Sequence, residues 1–340
     1  MTNEGEKMKN KNRVIILLVL LILLIACTSG AKKTDTENGT ITERLLSKVG
    51  GLFTKGTPDE DTKEEPAIIQ EAPVVADETE EMLSSELYAL GKNVTVPESV
   101  IYDKDGIKVT VKSLDYDGWM GVELKYLAEN ESGKSVMLQA ADLVINGFVL
   151  DPVMSTDLPS GEKVNSALTI MAEDLETAGI ETIQYLEFNL RIIDSDDWSK
   201  SFNTDRIRVE TNADPAFAQK VDDSGDLLFE QDGIRVIMKE LDTEASYFAA
   251  ELIVLVENNS GRDISLTVRD VSVNGFEVNP IFYVDLLSGT RAYTELIFLE
   301  EDLKSHGIVD FKEIELYFSA IDKNEWNTIF ETEMIKLRFD

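Results

Sequence analysis

The sequence predicts a mainly β protein: two tandem copies of one sandwich domain, each with one short helix, after a disordered tether. Three observations predict it. A long internal repeat runs through the second two-thirds of the 340 residues, both copies show a period-two apolar pattern, and turn residues punctuate that pattern at matching places.

The repeat sets the domain organisation. Asp105-Gly106-Ile107-Lys108-Val109 returns as Asp232-Gly233-Ile234-Arg235-Val236, an offset of 127. One residue is then gained, and later matches keep an offset of 128: Glu129-Asn130 with Ser132-Gly133 recurs as Glu257-Asn258 with Ser260-Gly261, and Asn146-Gly147-Phe148 as Asn274-Gly275-Phe276. Asp157 with Ser160-Gly161, Glu173-Asp174-Leu175 and Trp198 recur as Asp285 with Ser288-Gly289, Glu301-Asp302-Leu303 and Trp326. A unit of this length exceeds a solenoid repeat and is long enough to own a core. Residues 101–211 and 227–340 are therefore read as domains, with 212–226 as a short connector.

Within each copy, strands follow from alternation. Ile107-Val109-Val111, Val122-Leu124-Tyr126-Ala128 and Leu186-Phe188-Leu190-Ile192 alternate with polar residues, as do Ile234-Val236-Met238, Leu252-Val254-Val256 and Ile314-Leu316-Phe318-Ala320. Asn146-Gly147 is a pair that accepts positive φ in a two-residue hairpin. The helix is predicted at 173–178 and 301–306. Acidic residues open it at the positive end of its dipole, Gly179 or Gly307 closes it, and Ile180 or Ile308 follows as the apolar contact beyond the cap. About seven strands and one short helix in roughly 110 residues point to an immunoglobulin-like β-sandwich for each copy.

The amino-terminal part is of another kind. Lys9, Lys11 and Arg13 precede an unbroken apolar run, Val14 to Ala26, and then Cys27. At ~1.5 Å per residue the run spans about 20 Å, short of the ~30 Å hydrocarbon core, and it fits a secretory signal better than a stable span. Residues 1–26 are read as a signal peptide, and the basic residues favour a cytoplasmic amino end, which places the rest of the chain outside. From Cys27 to residue 100 small, polar and acidic residues dominate, a composition that cannot offset the entropy of ordering and is read as a mobile tether. One stretch, Ile41 to Phe53, has helical apolar spacing and suits a membrane surface or a transient linker helix.

Leu24-Ile25-Ala26-Cys27 resembles the lipobox of bacterial lipoproteins, in which the cysteine receives the lipid and becomes the first residue. The two Glu-Asn-x-Ser-Gly segments, with Val273-Asn274-Gly275-Phe276 and its counterpart at Asn146-Gly147-Phe148, are similar to an uncharacterised Gram-positive exported lipoprotein family with tandem immunoglobulin-like domains. The resemblance implies lipidation at Cys27, attachment to the extracellular face of the cytoplasmic membrane, and the sandwich fold. It implies no activity.

Composition narrows the function. The formal net charge is −33, and residues 1–26 hold four basic and two acidic side chains, so their removal takes it to −35. Such a chain repels nucleic acid, whose binding needs Lys or Arg to displace counterions. One Cys and one His exclude disulfide frameworks, Cys/His zinc sites and most acid–base constellations. His306 has Ala178 as its counterpart and reads as a polar residue in a last helical turn. Asp103-Lys104-Asp105-Gly106 opens like a calcium loop but lacks the bidentate Glu, so a strand-entry turn is expected. Asp194, Asp196 and Asp197 read as a solvated acidic loop, Asp157 and Asp285 as turn residues, and Trp198 and Trp326 as core or edge packing. No catalytic residue, metal ligand or cofactor is expected.

Two roles remain: a non-catalytic binding or scaffold module for a protein, peptide or cell-wall polymer, or an accessory subunit of an exported enzyme or transporter. The copies differ on one strand. Glu123, Lys125 and Leu127 point outward in the first, Glu251, Ile253 and Leu255 in the second, where Tyr247 and Phe248 precede them. Two branched apolar residues on a nominally solvated face need a cover, supplied by the same domain, the other repeat or a partner. Tyr247, Phe248, Ile253 and Leu255 form the candidate partner surface.

Overall fold

The computed structural model describes residues 94–339 other than Tyr247 and Phe248. The signal segment, Cys27, the stretch from Ile41 to Phe53 and the tether up to residue 93 lie outside the described residues. Those described are 59% strand and 5% helix, and none of their helices is long and apolar enough to cross a membrane.

Repeat 1 comprises β1 (Ser99–Lys104), β2 (Ile107–Gly118), β3 (Gly121–Asn130), β4 (Val136–Ile145), β5 (Phe148–Val149), β6 (Ser155–Leu158), β7 (Lys163–Met171), α1 (Ala172–Thr177), β8 (Tyr185–Asp194), β9 (Ser201–Asn203) and β10 (Ile207–Glu210). Repeat 2 restates the order as β11 (Asp226–Gln231), β12 (Ile234–Ser246), β13 (Ala249–Asn258), β14 (Ile264–Val273), β15 (Phe276–Glu277), β16 (Tyr283–Leu286), β17 (Thr290–Leu299), α2 (Glu300–Ser305), β18 (Glu313–Asp322), β19 (Thr328–Glu331) and β20 (Ile335–Arg338).

Each copy is a sandwich of two antiparallel sheets. In repeat 1 one sheet runs β1-β2-β3-β7; the other is built on β4 and β8, with β5 and β6 against β4, and β9 and β10 against β8. With β2, β3 and β7 as strands A, B and E, and β4, β8 and β10 as C, F and G, β6 occupies C′, since it pairs with β4. Repeat 2 copies this order with β12-β13-β17 and with β14, β16, β18 and β20. The inward sets predicted from alternation are buried, apart from Met238, which is half-buried.

The repeated motifs turn out to be structural joints. Asn130 is buried at the end of β3. Its Nδ2 donates to the Lys134 and Leu158 carbonyls at 2.7 and 2.8 Å, and its Oδ1 accepts from the Ser132 amide and hydroxyl at 3.0 and 2.7 Å. Asn258 makes the same bonds to Arg262, Leu286 and Ser260. The loop it holds crosses the β1–β2 hairpin closely. A Cβ on Gly106 would lie 2.7 Å from the Ser132 nitrogen, and one on Gly233 2.8 Å from the Asn259 carbonyl oxygen, so glycine is required there.

The helices begin and end one residue before the predicted positions, with Ala178 and His306 as their C-caps, and close at the predicted glycines. Ile180 donates to the Leu175 carbonyl at 2.8 Å and Gly179, at φ +61°, to that of Glu176 at 2.9 Å. This is a Schellman ending with Leu175 and Ile180 as its apolar pair.

One boundary differs from the prediction. The packed part of repeat 1 includes residues before 101: Val94 and Val96 are buried, and β1 begins at Ser99. Their alternation is short and set among polar residues and Pro97, which hides a strand-like lead-in within the tether's composition. The connector is also tied down on both sides. Gln219 accepts from Asn146 at 3.0 Å and donates to the Gly179 carbonyl at 2.8 Å in repeat 1, while the Asp222 carbonyl accepts from Tyr293 at 2.9 Å and Lys239 at 3.1 Å in repeat 2.

Candidate functional site

The face of repeat 2 that carries Ile253 and Leu255 is where the two repeats meet. Outward positions of β12, β13 and β17 bring Ile237, Leu255 and Tyr293 side by side, since Leu255 pairs with Ile237 on one flank and Tyr293 on the other. Ile237 and Leu255 belong to the same apolar cluster as the core of repeat 1, and Leu255 is 0% exposed. Leu255 is therefore corrected from a partner surface to an inter-repeat contact. Ile253, one step along the strand, is half-buried, and Tyr247 and Phe248 lie outside the described residues.

The β4–β5 hairpin tip of repeat 1 packs against this face, in one apolar cluster with Leu255. Asn146 (φ +50°) and Gly147 (φ +88°) make the tight turn. Asn146 fixes the tip by donating to the Thr182 carbonyl at 2.6 Å and accepting from the Gln184 amide at 2.8 Å. Phe148, 0% exposed, stacks on Tyr293 with ring centroids 5.9 Å apart and planes 5° from parallel. The Arg291 amide donates to the Gly147 carbonyl at 3.0 Å, and the Arg291 guanidinium lies over the Phe148 ring at 5.6 Å. Phe148 and Arg291 also form a parallel bridge that joins a sheet of repeat 1 to a sheet of repeat 2. Among the described residues the buried Arg291 Nε has no hydrogen-bond partner; the Phe148 ring face and Glu257, 3.8 Å from Nη1, lie against the guanidinium.

An ion pair closes one side. Lys323 Nζ lies 3.1 Å from Asp142 Oδ1 of repeat 1 and 2.9 Å from Asp285 Oδ2 of repeat 2. Burial raises the Asp285 pKa, but hydrogen bonds from Ser265 and Tyr283 and the Lys323 ammonium outweigh it and leave the carboxyl below its ordinary range. Burial lowers the Lys323 pKa, and the two carboxylates overcome that and raise it. Asp285 and Asp157 sit within strands β16 and β6 and are not turn residues, which corrects that expectation.

The other candidates are placed as follows. Asp105 (φ +54°) and Gly106 form the β1–β2 turn. Asp194 pairs with Lys134 at 3.1 Å and Asp197 with Lys200 at 2.8 Å, while Asp196 donates its amide to Asp194. His306 caps α2, its Nδ1 3.0 Å from the Asp302 carbonyl, and its ring is 5.8 Å from Phe276. Among the described residues, no three His, Cys, Asp or Glu side chains converge as a metal site. Trp198 and Trp326 are 52% and 75% exposed, which removes core packing and leaves the edge alternative; both stand in the loop after the long F strand, Trp326 at φ +55°.

The feature that sequence reasoning missed is the second hairpin tip. Asn274-Gly275 has the same turn, with φ +53° and +81°, and Asn274 makes the same bonds: to the Asp310 carbonyl at 2.7 Å, and from the Lys312 amide at 2.8 Å. Phe276 is nevertheless 48% exposed, and Val309, beside Asp310, is 94% exposed. Aligning Ile237, Leu255 and Tyr293 with their counterparts Thr110, Leu127 and Asn165 was the available signal. It shows an apolar receptor for such a tip in repeat 2, and a polar face in repeat 1.

No protein-family model matches the chain, and no curated protein matches it. Among solved structures it is similar to the YadV chaperone, determined at 1.63 Å, with 12% identity over 64% of this chain and 92% of that one and a TM-score of 0.21.

Proposed function

We propose that the protein is a lipoprotein held by Cys27 on the extracellular face of the cytoplasmic membrane, and that its two sandwiches act as a non-catalytic binding or scaffold module. The supporting observation is the exposed Phe276 tip. The same Asn-Gly-Phe hairpin, wired the same way, makes a buried domain–domain contact one repeat earlier. In repeat 2 Phe276 is 48% exposed and, among the described residues, its ring contact is with His306 at 5.8 Å rather than with another repeat. Fixed aromatic side chains on a rigid turn suit protein recognition, because little conformational entropy is lost on contact.

A photo-crosslinking phenylalanine analogue at position 276, in cells that export the chain, tests this. The expected product is a covalent adduct to one envelope protein, absent when the analogue replaces the buried Phe148. Adducts to subunits of one membrane complex would replace the scaffold by the accessory role. Absence of any protein adduct would overturn the reading. Anchoring is tested separately: Cys27→Ala is expected to abolish lipid labelling and to leave an uncleaved or released chain, and labelled lipid on that variant contradicts it.

A further inference from the structure

We infer that the open seam of repeat 2, between the outermost strands of its two sheets, accepts an extended segment of a partner protein that carries branched apolar residues two positions apart. The warrant is how repeat 1 fills the same seam. There β1 and β10 are the outermost strands, and the lead-in Val94-Thr95-Val96, just ahead of β1, meets the chain at Asn212, two residues beyond β10. Val94 and Val96 are buried, Val96 within the core cluster. Thr95, between them, donates its amide to Asn212 Oδ1 at 2.6 Å and accepts from the Asn212 amide at 2.9 Å. Farther along, Lys104 meets Asp205 at 3.5 Å. The filler is thus a Val-Thr-Val segment: its two apolar side chains are buried, and the polar residue between them bonds to the chain just past the β10 edge.

Repeat 2 has the same strands but sends its lead-in elsewhere. The counterparts of Val94, Thr95 and Val96 are Val221, Asp222 and Asp223. Val221 packs on the core cluster of repeat 1. Asp222 and Ser224 are held by Lys239 at 3.1 and 2.5 Å through their carbonyls, and Asp223 lies 3.6 Å from Arg235. Arg235 and Lys239 share the outward face of β12 with Ile237, so this lead-in lies over the outside of the sheet. With a carboxylate where repeat 1 has Val96, it is unsuited to the seam.

A cleft of about 640 Å³ remains, walled by Leu227, Phe229, Met238, Met334, Ile335 and Leu337. Leu227 and Met334 are exposed. Its two long sides are strand edges: β11 pairs only with β12, β20 only with β18, and among the described residues neither has a second strand partner. The charges on β20 are committed, Lys336 to Glu315 and Arg338 to Glu313. Unpaired strand edges beside an apolar floor recognise a peptide through main-chain hydrogen bonds, with alternate side chains seated inward.

The chain's own filler supplies the probe. A labelled peptide spanning residues 92–100 is titrated into the intact chain. Saturable binding is expected, weakened at least about tenfold when Val94 and Val96 of the peptide are both Asp, or when the protein carries Leu227→Asp. Met334→Asp, at an independent exposed position, is expected to weaken it likewise, and the unfolding midpoint of each variant reports whether the fold is kept. Phe276→Ala is expected to leave binding unchanged, which separates this site from the hairpin tip. Bound peptide should slow amide exchange in 227–231 and 335–338. Three results overturn the inference: no saturable binding up to about 1 mM, binding indifferent to both cleft substitutions in folded protein, or protection confined to β1 and β10. A concentration-dependent dimer abolished by Leu227→Asp would also overturn it, by putting a second copy of the chain in the cleft.

Discussion

Phe148 and Phe276 occupy the same position in the two repeats, on hairpin tips with the same turn and the same asparagine bonds, yet one is fully buried and the other half exposed. The difference lies in what stands opposite. Repeat 2 offers Phe148 an apolar sheet face with an aromatic ring and a guanidinium, whereas the equivalent face of repeat 1 carries Thr110, Leu127 and Asn165. One duplicated element thus serves as an internal joint in the first copy and as an open end in the second. Local sequence builds the tip, and the receptor decides its use.

Substitutions at equivalent positions can break this comparison. Leu255→Lys places an unpaired charge in the inter-repeat core and is expected to cost about 4 kcal/mol in urea unfolding of the intact chain, whereas Leu127→Lys costs under about 1 kcal/mol. Changing Ile253 and Leu255 to Lys together is expected to part the repeats. If each repeat folds separately, the intact chain then unfolds in two transitions. Equal costs at 127 and 255 would mean that nothing covers the repeat 2 face. Phe148→Ala should cost about 3 kcal/mol, as large buried aromatics do, and Phe276→Ala no more than about 0.5 kcal/mol.

Where the repeats share a joint they are expected to behave alike. Asn130→Ala and Asn258→Ala each leave buried carbonyls without their donor, at a cost of about 2 kcal/mol in either copy. The smallest effect is at the ion pair. Lys323→Met is expected to cost about 1–2 kcal/mol, less than a fully buried pair because solvent reaches its side chains. Its pH dependence follows from the shifts. Asp285 is depressed, so its contribution is present above the unfolded value of ~3.9 and is lost as pH falls through the lower folded value. Lys323 is raised, so its contribution is present below ~10.4 and is lost as pH rises through the higher folded value. The penalty of Lys323→Met should accordingly be level from about pH 5 to 9 and shrink at either extreme.

Much of the fold was legible in the sequence because sheets impose a strict period. Ile107, Val109 and Val111, and Leu186 through Ile192, fall on the core side wherever alternation puts them, and Asn146-Gly147 and Gly179 mark breaks that few other residues tolerate. The demand for a cover over Leu255 was legible too, as a misplaced apolar residue. Its source was not, because Phe148 lies over a hundred residues away on a tip whose motif reads the same in both copies. Val94 and Val96 were missed because three residues of alternation carry little weight beside a long acidic stretch. Of the two placements read for Trp198 and Trp326, core or edge, their exposure removes the core one, in keeping with how common exposed apolar surface is in folded proteins.

The central claim, that the Phe148 tip docks on the Tyr293 face of repeat 2, is tested most directly by a double-mutant cycle in equilibrium unfolding with Phe148→Ala and Tyr293→Ala. A stacked pair 5.9 Å apart predicts a coupling of about 0.5–1.5 kcal/mol. Costs that add to within about 0.3 kcal/mol would show that the two rings do not meet, and would contradict the docked arrangement of the repeats.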